Sequence, residues 1–216
     1  MSTAQRIALF GGSFDPIHFG HLISARSIAE QLDLSRVILI PAPRPPHKPN
    51  VVLTDTSQRI AMARLAVEGD PLFSVSDIEM KRGGPSYTID TVSAFRAELG
   101  ASAVLHWIIG ADSLPELVTW RRIAELVTRV TIVTATRPGW TPPDLSQLAG
   151  AVGREQAQSL LDQCCATPAI DISATDIRGR VAANLPIRYL VPAAVASYIV
   201  RYGLYRPERC SPGTCS

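Results

Sequence analysis

The segment from Arg6 to Ile40 constrains the fold more than any other part of this 216-residue chain. Arg6–Phe10 is a short apolar run that ends at two glycines, as a buried strand does. Apolar residues then recur at helical spacing from Gly20 to Leu34, and Arg36–Ile40 is a second apolar run. Because strands buried on both faces are typical of parallel sheets covered by helices, this segment predicts a βαβ unit.

The alternation continues along the chain and predicts an α/β fold: a doubly wound, Rossmann-like parallel sheet with helices on both faces and a small C-terminal helical portion. The further predicted strands are Phe73–Ile78, Val104–Ile109, Val130–Thr134 and Ala169–Ile172. The further predicted helices are one that Thr54 or Asp55 caps and that runs to about Val67, then Thr88–Leu99, Ser113–Leu117, Arg121–Leu126, Leu145–Leu161 and two that open at Ser173 and Pro192. We expect one domain over residues 1–205 and a frayed tail over 206–216.

Composition excludes several classes of protein. A net charge of +2, 46% hydrophobic and 19% charged residues are ordinary for a globular chain, and without a basic stripe we expect no nucleic-acid partner. The longest apolar runs are too short to span a bilayer and Met1–Arg6 has no signal-peptide core, so we expect a cytoplasmic protein without membrane contact. The four cysteines match no zinc or redox template and are read as reduced thiols, although a Cys210–Cys215 pair is left open.

The turn Gly11-Gly12-Ser13 follows the first strand and precedes a helix. Glycines let the backbone approach a phosphate, and the helix start offers free N–H groups and a positive dipole end. The turn is neither a Gly-x-Gly-x-x-Gly fingerprint nor a P-loop. On its own it is equally compatible with a plain tight turn.

His18 and His21 lie three residues apart at the start of the same helix and therefore share one face. Imidazoles at this place can donate hydrogen bonds to a phosphoryl group as charge develops on it. Two alternatives stay open: a metal pair, for which the sequence shows no further ligands, and one capping histidine beside one exposed histidine.

At this point a resemblance becomes apparent. Gly11 to His21 resembles the first signature of the His-x-Gly-His nucleotidylyltransferase superfamily, and Ile172-Ser173-Ala174-Thr175-Asp176-Ile177-Arg178 resembles the second. Further segments are similar to bacterial nicotinate mononucleotide adenylyltransferases: Pro45–Lys48, Pro85–Thr88, Gly110–Ser113 with Trp120, and Tyr202–Tyr205. The residues between Pro138 and Pro168 match no motif of that family, and Ser13 stands where the family commonly has Thr.

The resemblance implies an enzyme that transfers the adenylyl group of ATP to nicotinate mononucleotide, giving nicotinate adenine dinucleotide and pyrophosphate in NAD biosynthesis. The attacking phosphate is already ionised, so no general base is expected. Two alternatives stay open: a different phosphate acceptor (nicotinamide mononucleotide or phosphopantetheine), and a nucleotide-binding regulatory protein with an inactive site. A homo-oligomer is also left open.

The resemblance also implies roles for individual residues. The catalytic residues would be His18, His21 and Arg178. The ATP-binding residues would be Gly11, Gly12, Ser13, Phe14, His18, His21, Gly110, Asp112, Arg137, Ser173, Thr175 and Arg178. The residues binding nicotinate mononucleotide would be Ser13, Lys48, Tyr87, Thr88 and Trp120. Mg²⁺ would be bound through the ATP phosphates, without a metal site on the protein.

Three of these roles compete with structural ones. Asp112 is equally compatible with a helix N-cap, Ser173 with Asp176 fits a capping box, and Trp120 is compatible with core packing. Arg178, by contrast, has no evident structural role in the sequence, which favours its contact with phosphate.

Overall fold

A computed structural model describes residues 5–46 and 51–207, and its centre is a six-stranded, all-parallel sheet of order β3-β2-β1-β4-β5-β6. The strands are β1 (Arg6–Gly12), β2 (Arg36–Pro41), β3 (Phe73–Val75), β4 (Val104–Gly110), β5 (Thr131–Thr136) and β6 (Cys164–Ala166). The helices are α1 (Phe19–Gln31), α2 (Thr56–Ala66), α3 (Ile78–Arg82), α4 (Thr88–Leu99), α5 (Ile123–Arg129), α6 (Ser146–Val152), α7 (Arg154–Asp162), α8 (Ala174–Ala182) and α9 (Ala193–Tyr202). The predicted doubly wound fold is confirmed.

Two apolar cores cover the two faces of the sheet, because successive strand residues point to opposite sides. Ala8 of β1 lies in the core that α1, α2, α8 and α9 complete, while Ile7 and Leu9 lie in the core with α4, α5, α6 and α7. Fully buried residues of β1 and β2 on both faces explain why their sequences read as continuous apolar runs.

The strand order reverses beside β1. The chain runs from β1 outward through β2 to β3, and then crosses back to place β4 on the other side of β1. In open parallel sheets such a reversal leaves a crevice at the carboxyl ends of the two central strands. Here those ends are Gly12 and Gly110, which places the glycine turn at the crevice.

The predicted strand Ala169–Ile172 is wrong. The sixth strand is Cys164–Ala166, and it pairs with β5 over Thr134–Thr136. Just after β6, the Thr167 backbone N–H and hydroxyl both donate to the Thr136 carbonyl, at 2.8 and 2.9 Å, and β5 itself ends at Thr136.

Other boundaries differ at turns. The strand predicted for Phe73–Ile78 ends at Val75, because Ile78 begins α3. The helix predicted for Leu145–Leu161 is two helices that meet at Gly153, whose φ of 93° no helix accommodates. The helix predicted for Ser113–Leu117 is two 3₁₀ turns, Ala111–Ser113 and Pro115–Thr119.

The helix predicted for Arg121–Leu126 is observed as Ile123–Arg129, and the one predicted for Gly20–Leu34 ends at Gln31. Other helix ends agree with the sequence. Helix α4 has the predicted bounds, Ser173 is the N-cap of α8, and Gly203 closes α9 in the left-handed region. Across residues 5–46 and 51–207, no helix has the length and apolar character needed to cross a membrane. Lys48, Cys210 and Cys215 lie outside the described residues.

Candidate active site

A cavity of about 210 Å³ opens at the carboxyl ends of β1 and β4. Six residues that the sequence singled out line it together: Gly11, Gly12, Ser13, Thr88, Gly110 and Trp120. They come from three separate parts of the chain, the end of β1, the start of α4 and the segment after β4. The reversal of the strand order therefore brings residues predicted to bind phosphate and residues predicted to bind the pyridine ring into one cavity.

The two glycines of the turn have packing reasons to lack a side chain. A Cβ on Gly11 would lie 2.6 Å from the Trp107 ring, and one on Gly12 would lie 3.1 Å from the Phe14 ring. The absence of a side chain at both positions thus leaves room for the two aromatic rings, and both glycines line the cavity. A larger residue at position 11 would displace Trp107, which is itself part of the lining.

The two histidines stack on each other at the N-terminus of α1. Their ring centroids are 3.7 Å apart with an interplanar angle of 24°. The backbone N–H of His18 donates to Nδ1 of His21 at 3.3 Å. A neutral His21 that accepts at Nδ1 carries its proton on Nε2, which makes Nε2 a hydrogen-bond donor.

His18 is the N-cap residue of α1, and its side chain lies in a capping-box arrangement with the His21 backbone N–H, but that N–H donates to the His18 carbonyl at 3.0 Å and not to the imidazole. The side chain is 6% exposed, and burial lowers its pKa to about 4, so that it is neutral at pH 7. Its Nδ1 has no hydrogen-bond partner within the part of the chain that is described. A buried imidazole with an unused nitrogen is suited to an external hydrogen-bond partner.

The second motif forms the N-terminus of α8. The Ser173 hydroxyl accepts from the Asp176 backbone N–H at 3.0 Å, which is one half of a capping box. Thr175 lies in the first turn, where its hydroxyl accepts from Nη2 of Arg178 at 3.3 Å. The motif therefore presents two hydroxyls and a guanidinium at one helix start, an arrangement that binds anions.

Arg178 does have a structural contact, which corrects the expectation from sequence. Its Nη1 donates to the backbone carbonyl of Asp15 at 2.8 Å. This bond joins the second motif directly to the loop between the glycine turn and His18. The guanidinium is half-buried and has five N–H donors, so its bonds to Asp15 and Thr175 leave donor capacity for a ligand.

A buried network that the sequence did not predict supports the same loop. Arg59 of α2 is 1% exposed and donates to the carbonyls of Ser13 at 2.7 Å and Ala42 at 2.9 Å. Asp15 is 3% exposed and accepts from the Tyr205 hydroxyl at 2.6 Å. Burial, followed by the bond to Asp15, raises the pKa of Tyr205 and keeps it neutral.

Of the twelve predicted ATP ligands, four line this cavity (Gly11, Gly12, Ser13 and Gly110), and the other eight lie outside its lining, among them Phe14, Asp112 and Arg137. The Phe14 ring is 1% exposed and packs edge-on against His21 with centroids 5.0 Å apart. Asp112 is exposed inside a 3₁₀ turn whose N-cap is Gly110, so the capping alternative is wrong. Arg137 is exposed directly after β5.

The proposed pyridine-binding residues meet at a second, smaller cavity of about 70 Å³. Tyr87, Thr88 and Trp120 line it, and Thr88 and Trp120 also line the first cavity. The Arg121 guanidinium lies over the Tyr87 ring, 4.6 Å from its centroid. Trp120 is half-buried and packs against the α4–α7 core, so it combines core packing with exposure to the cavity.

Two further cavity residues escaped sequence reasoning. Trp107 of β4 and Glu79 of α3 both line the 210 Å³ cavity, and both are 4% exposed. Burial raises the pKa of Glu79, and the nearby hydroxyls of Thr91 and Ser86 and the Arg82 guanidinium oppose that rise. Within the described ranges, no group of three or more His, Cys, Asp or Glu is placed to hold a metal ion.

Comparison with known proteins gives a consistent family pattern. The cytidylyltransferase-like family model matches residues 9–180. The chain is 42% identical over 203 residues to a "Probable nicotinate-nucleotide adenylyltransferase" of Moorella thermoacetica, covering 94% of this chain and 93% of that protein. It is 44% identical over 205 residues to the protein of the same name in Thermomicrobium roseum, covering 94% and 92%.

A solved structure shows the same fold at low identity. The Plasmodium falciparum nicotinic acid mononucleotide adenylyltransferase complexed with NaAD superposes with a TM-score of 0.70 at 18% identity. The match covers 93% of this chain and 97% of that one. At this identity the likeness establishes the architecture of the sheet and helices.

Proposed function

The chain belongs to the nicotinate-nucleotide adenylyltransferase family of nucleotidyltransferases, and we propose from this membership and from its site that it joins the adenylyl group of ATP to nicotinate mononucleotide. The products are nicotinate adenine dinucleotide and pyrophosphate. The observation that carries the proposal is the 2.8 Å bond from Arg178 to the Asp15 carbonyl, since it brings both family motifs to one edge of the sheet. The paired histidines belong to the first of these two motifs.

The reaction is one displacement at the α-phosphorus of ATP. A 5′-phosphate oxygen of the mononucleotide forms the new P–O bond, the bond from the α-phosphorus to the bridging oxygen breaks, and pyrophosphate carries away the electron pair. The nucleophile is ionised at pH 7, so the site needs no general base. Catalysis then consists of alignment and electrostatic stabilisation of the α-phosphoryl group.

The histidines supply donors to the α-phosphate in this scheme. His21 carries its proton on Nε2 when Nδ1 accepts from the His18 backbone. His18 is neutral without ligand because burial lowers its pKa to about 4. A neighbouring polyanion favours the protonated form, so ATP binding raises the pKa of His18 and strengthens its hydrogen bonds to phosphate.

The start of α8 holds the leaving pyrophosphate. Ser173, Thr175 and Arg178 present hydroxyl and guanidinium groups there, and the helix dipole favours the negative charge. These donors fit phosphate oxygens and not a metal ion, so Mg²⁺ would be held by the ATP phosphates, where it would supply neutralisation of charge on the leaving group.

Selectivity for the acid arises at the start of α4. The Thr88 hydroxyl and the backbone N–H groups of that helix end donate to the nicotinate carboxylate, which an amide satisfies less well. The Trp120 indole face stacks on the pyridine ring. Tyr87 is held over this subsite by Arg121. Ser13 and Lys48 complete the proposed set at the mononucleotide phosphate.

The direct test compares phosphate acceptors. Pyrophosphate release is measured with ATP and Mg²⁺ and with nicotinate mononucleotide, nicotinamide mononucleotide or phosphopantetheine in turn. We expect the highest kcat/KM with nicotinate mononucleotide, and a smaller preference over the amide in Thr88→Val, which loses only the hydroxyl. Equal efficiency with acid and amide in the unmodified protein would remove the role given to Thr88. No turnover with any acceptor would indicate an inactive nucleotide-binding protein.

A further inference from the structure

The Glu79 carboxyl is an unexplained polar group in the 210 Å³ cavity. One oxygen, Oε1, accepts from the Thr91 hydroxyl at 2.6 Å, and the Arg82 guanidinium donates to that hydroxyl at 3.0 Å. The other oxygen, Oε2, is buried and has no hydrogen-bond partner in the described ranges. A buried carboxylate oxygen without a donor is costly, so a donor from a ligand would remove a penalty that the unliganded site carries.

Glu79 lies at the mononucleotide end of the cavity. Thr88 and Trp120, the residues proposed for the pyridine ring, line the same space. Thr91, which holds Oε1, lies one helical turn after Thr88 on α4, and so the carboxyl is tied to the same helix end. The bond from Thr91 to Oε1 fixes the orientation of the carboxyl. The other oxygen, Oε2, is then available to accept a hydrogen bond from a ligand in the cavity.

The chemistry of nicotinate mononucleotide leaves few partners for this oxygen. Its carboxylate and phosphate are acceptors and would repel Glu79, and its pyridinium nitrogen carries no hydrogen. The two ribose hydroxyls are its only hydrogen-bond donors. We propose, on the basis of the function proposed above, that Glu79 Oε2 accepts a hydrogen bond from a ribose hydroxyl of nicotinate mononucleotide. The same carboxylate then lies near the positive pyridinium ring, which adds a favourable charge interaction.

Deoxyribose substrates test this assignment. The discrimination factor is kcat/KM for nicotinate mononucleotide divided by kcat/KM for its 2′-deoxy or 3′-deoxy analogue, measured by dinucleotide formation. Loss of a hydrogen bond to a charged group predicts a factor of about 10 to 100 in the unmodified protein for at least one analogue. In Glu79→Ala we expect that factor to fall to within about threefold of unity, and in Glu79→Gln to an intermediate value, because an amide oxygen is a weaker acceptor.

A second carboxylate and a second ribose provide the controls. Glu116 also lines the cavity but is exposed, and Glu116→Gln should keep the discrimination factor of the unmodified protein. The ribose of ATP is the rival donor, so 2′-deoxy-ATP is compared with ATP in the same variants. If circular dichroism shows that Glu79→Ala does not fold, the discrimination factors of Glu79→Gln with the two deoxy analogues still test the assignment.

Two results would overturn the assignment. One is an undiminished discrimination factor in both Glu79 variants; the other is a Glu79-dependent penalty on deoxy-ATP instead of the deoxy mononucleotide. Either result, with normal dinucleotide formation by the unmodified protein, leaves the proposed function intact. Failure of the unmodified protein to form dinucleotide from nicotinate mononucleotide would instead overturn the function itself.

Discussion

At the scale of single residues, His18 combines burial with a pKa lowered from its ordinary value to about 4. It is 6% exposed, it stacks on His21, and its Nδ1 has no partner within the described segments. Packing alone would favour an apolar ring at such a place, because an imidazole nitrogen without a partner is costly to bury. Contact with a phosphate during the reaction, as proposed above, would account for the retained polarity.

Replacement of His18 by alanine tests this role. Removal of one preorganised donor to a transition-state charge costs about 100- to 1,000-fold in kcat. We expect His18→Ala to lose that much in pyrophosphate release while circular dichroism shows an unchanged fold. His106 is also buried, with Nδ1 unpartnered in the described part of the chain, but it lies in the middle of β4. His106→Gln is the matched control, and normal kcat in His18→Ala would rule out the mechanism.

The low pKa of His18 also predicts an effect of pH on stability. The unfolded chain takes up a proton near the ordinary value of 6.5, whereas the folded chain resists it down to about 4. Between these values the unfolded state binds more protons, so the free energy of unfolding falls as the pH falls. The contribution is up to about 3 kcal/mol. In His18→Asn, urea unfolding between pH 7 and 4 should show a shallower decline; an identical decline would contradict the burial of a neutral imidazole.

Sequence reasoning predicted the site residues that belong to motifs and missed those defined by burial. Arg59 precedes Met62 and Ala63 by three and four residues, and all three lie on the buried face of α2. That spacing was a usable signal, although a charged residue in a helix usually faces solvent. Glu79 offered no such signal, because α3 spans only Ile78–Arg82 and shows no periodicity.

At the scale of elements, the site is made from the N-termini of α1, α4 and α8, which all lie at the carboxyl edge of the sheet. Helix starts have unpaired N–H groups and a positive dipole end, so three of them at one edge provide an environment for a triphosphate and a carboxylate. The fold therefore accounts for the anionic character of both proposed substrates.

The N-cap residue of α8, Ser173, is expected to affect both the stability of the protein and its binding of ATP, and the two effects can be measured separately. Ser173→Ala removes the hydroxyl that accepts from Asp176 at 3.0 Å, and loss of such a cap costs about 1 kcal/mol of unfolding free energy. We also expect a higher KM for ATP, because the same hydroxyl faces the phosphates. Asp144 accepts from the Ser146 N–H at 2.8 Å at the start of α6, away from the motifs. Asp144→Ala should lower stability alone, and an unchanged KM for ATP in Ser173→Ala would restrict Ser173 to capping.

Elements with strong local patterns were predictable, and those set by tertiary pairing were not. The β1–α1–β2 unit followed from apolar runs and helical spacing, and α4 was predicted with its observed bounds. The sixth strand has three residues, Cys164–Ala166, no more apolar than the false candidate Ala169–Ile172. Its position depends on which carbonyls of β5 are available to pair, and that information lies 30 residues away in the chain.

At the scale of the whole molecule, Arg178 connects the two ends of the active site. Its bond to the Asp15 carbonyl spans 163 residues of sequence and joins α8 to the loop after β1. Arg59 and Tyr205 hold that loop from the other side, through the Ser13 carbonyl and the Asp15 carboxylate. The spacing between the histidines and the pyrophosphate donors is thus set by long-range contacts.

Substitution of this arginine by lysine tests whether geometry or charge matters. Arg178→Lys keeps the positive charge but cannot donate to a carbonyl and to phosphate with the fork of a guanidinium. We expect kcat for pyrophosphate release to fall about 100-fold or more. Arg180 on the same helix also donates to a backbone carbonyl, that of Pro186, at 2.9 and 3.0 Å. Arg180→Lys should change stability without such a loss; equal kcat in the two variants would show that Arg178 has only a structural role.

The most direct test of adenylyl transfer follows the α-phosphorus itself. The protein is incubated with Mg²⁺, nicotinate mononucleotide and ATP labelled at the α-phosphate, and the products are separated. Direct displacement predicts label in nicotinate adenine dinucleotide, one pyrophosphate released for each dinucleotide formed, and no labelled protein. Label retained in ATP, or released as AMP without dinucleotide, would contradict the account.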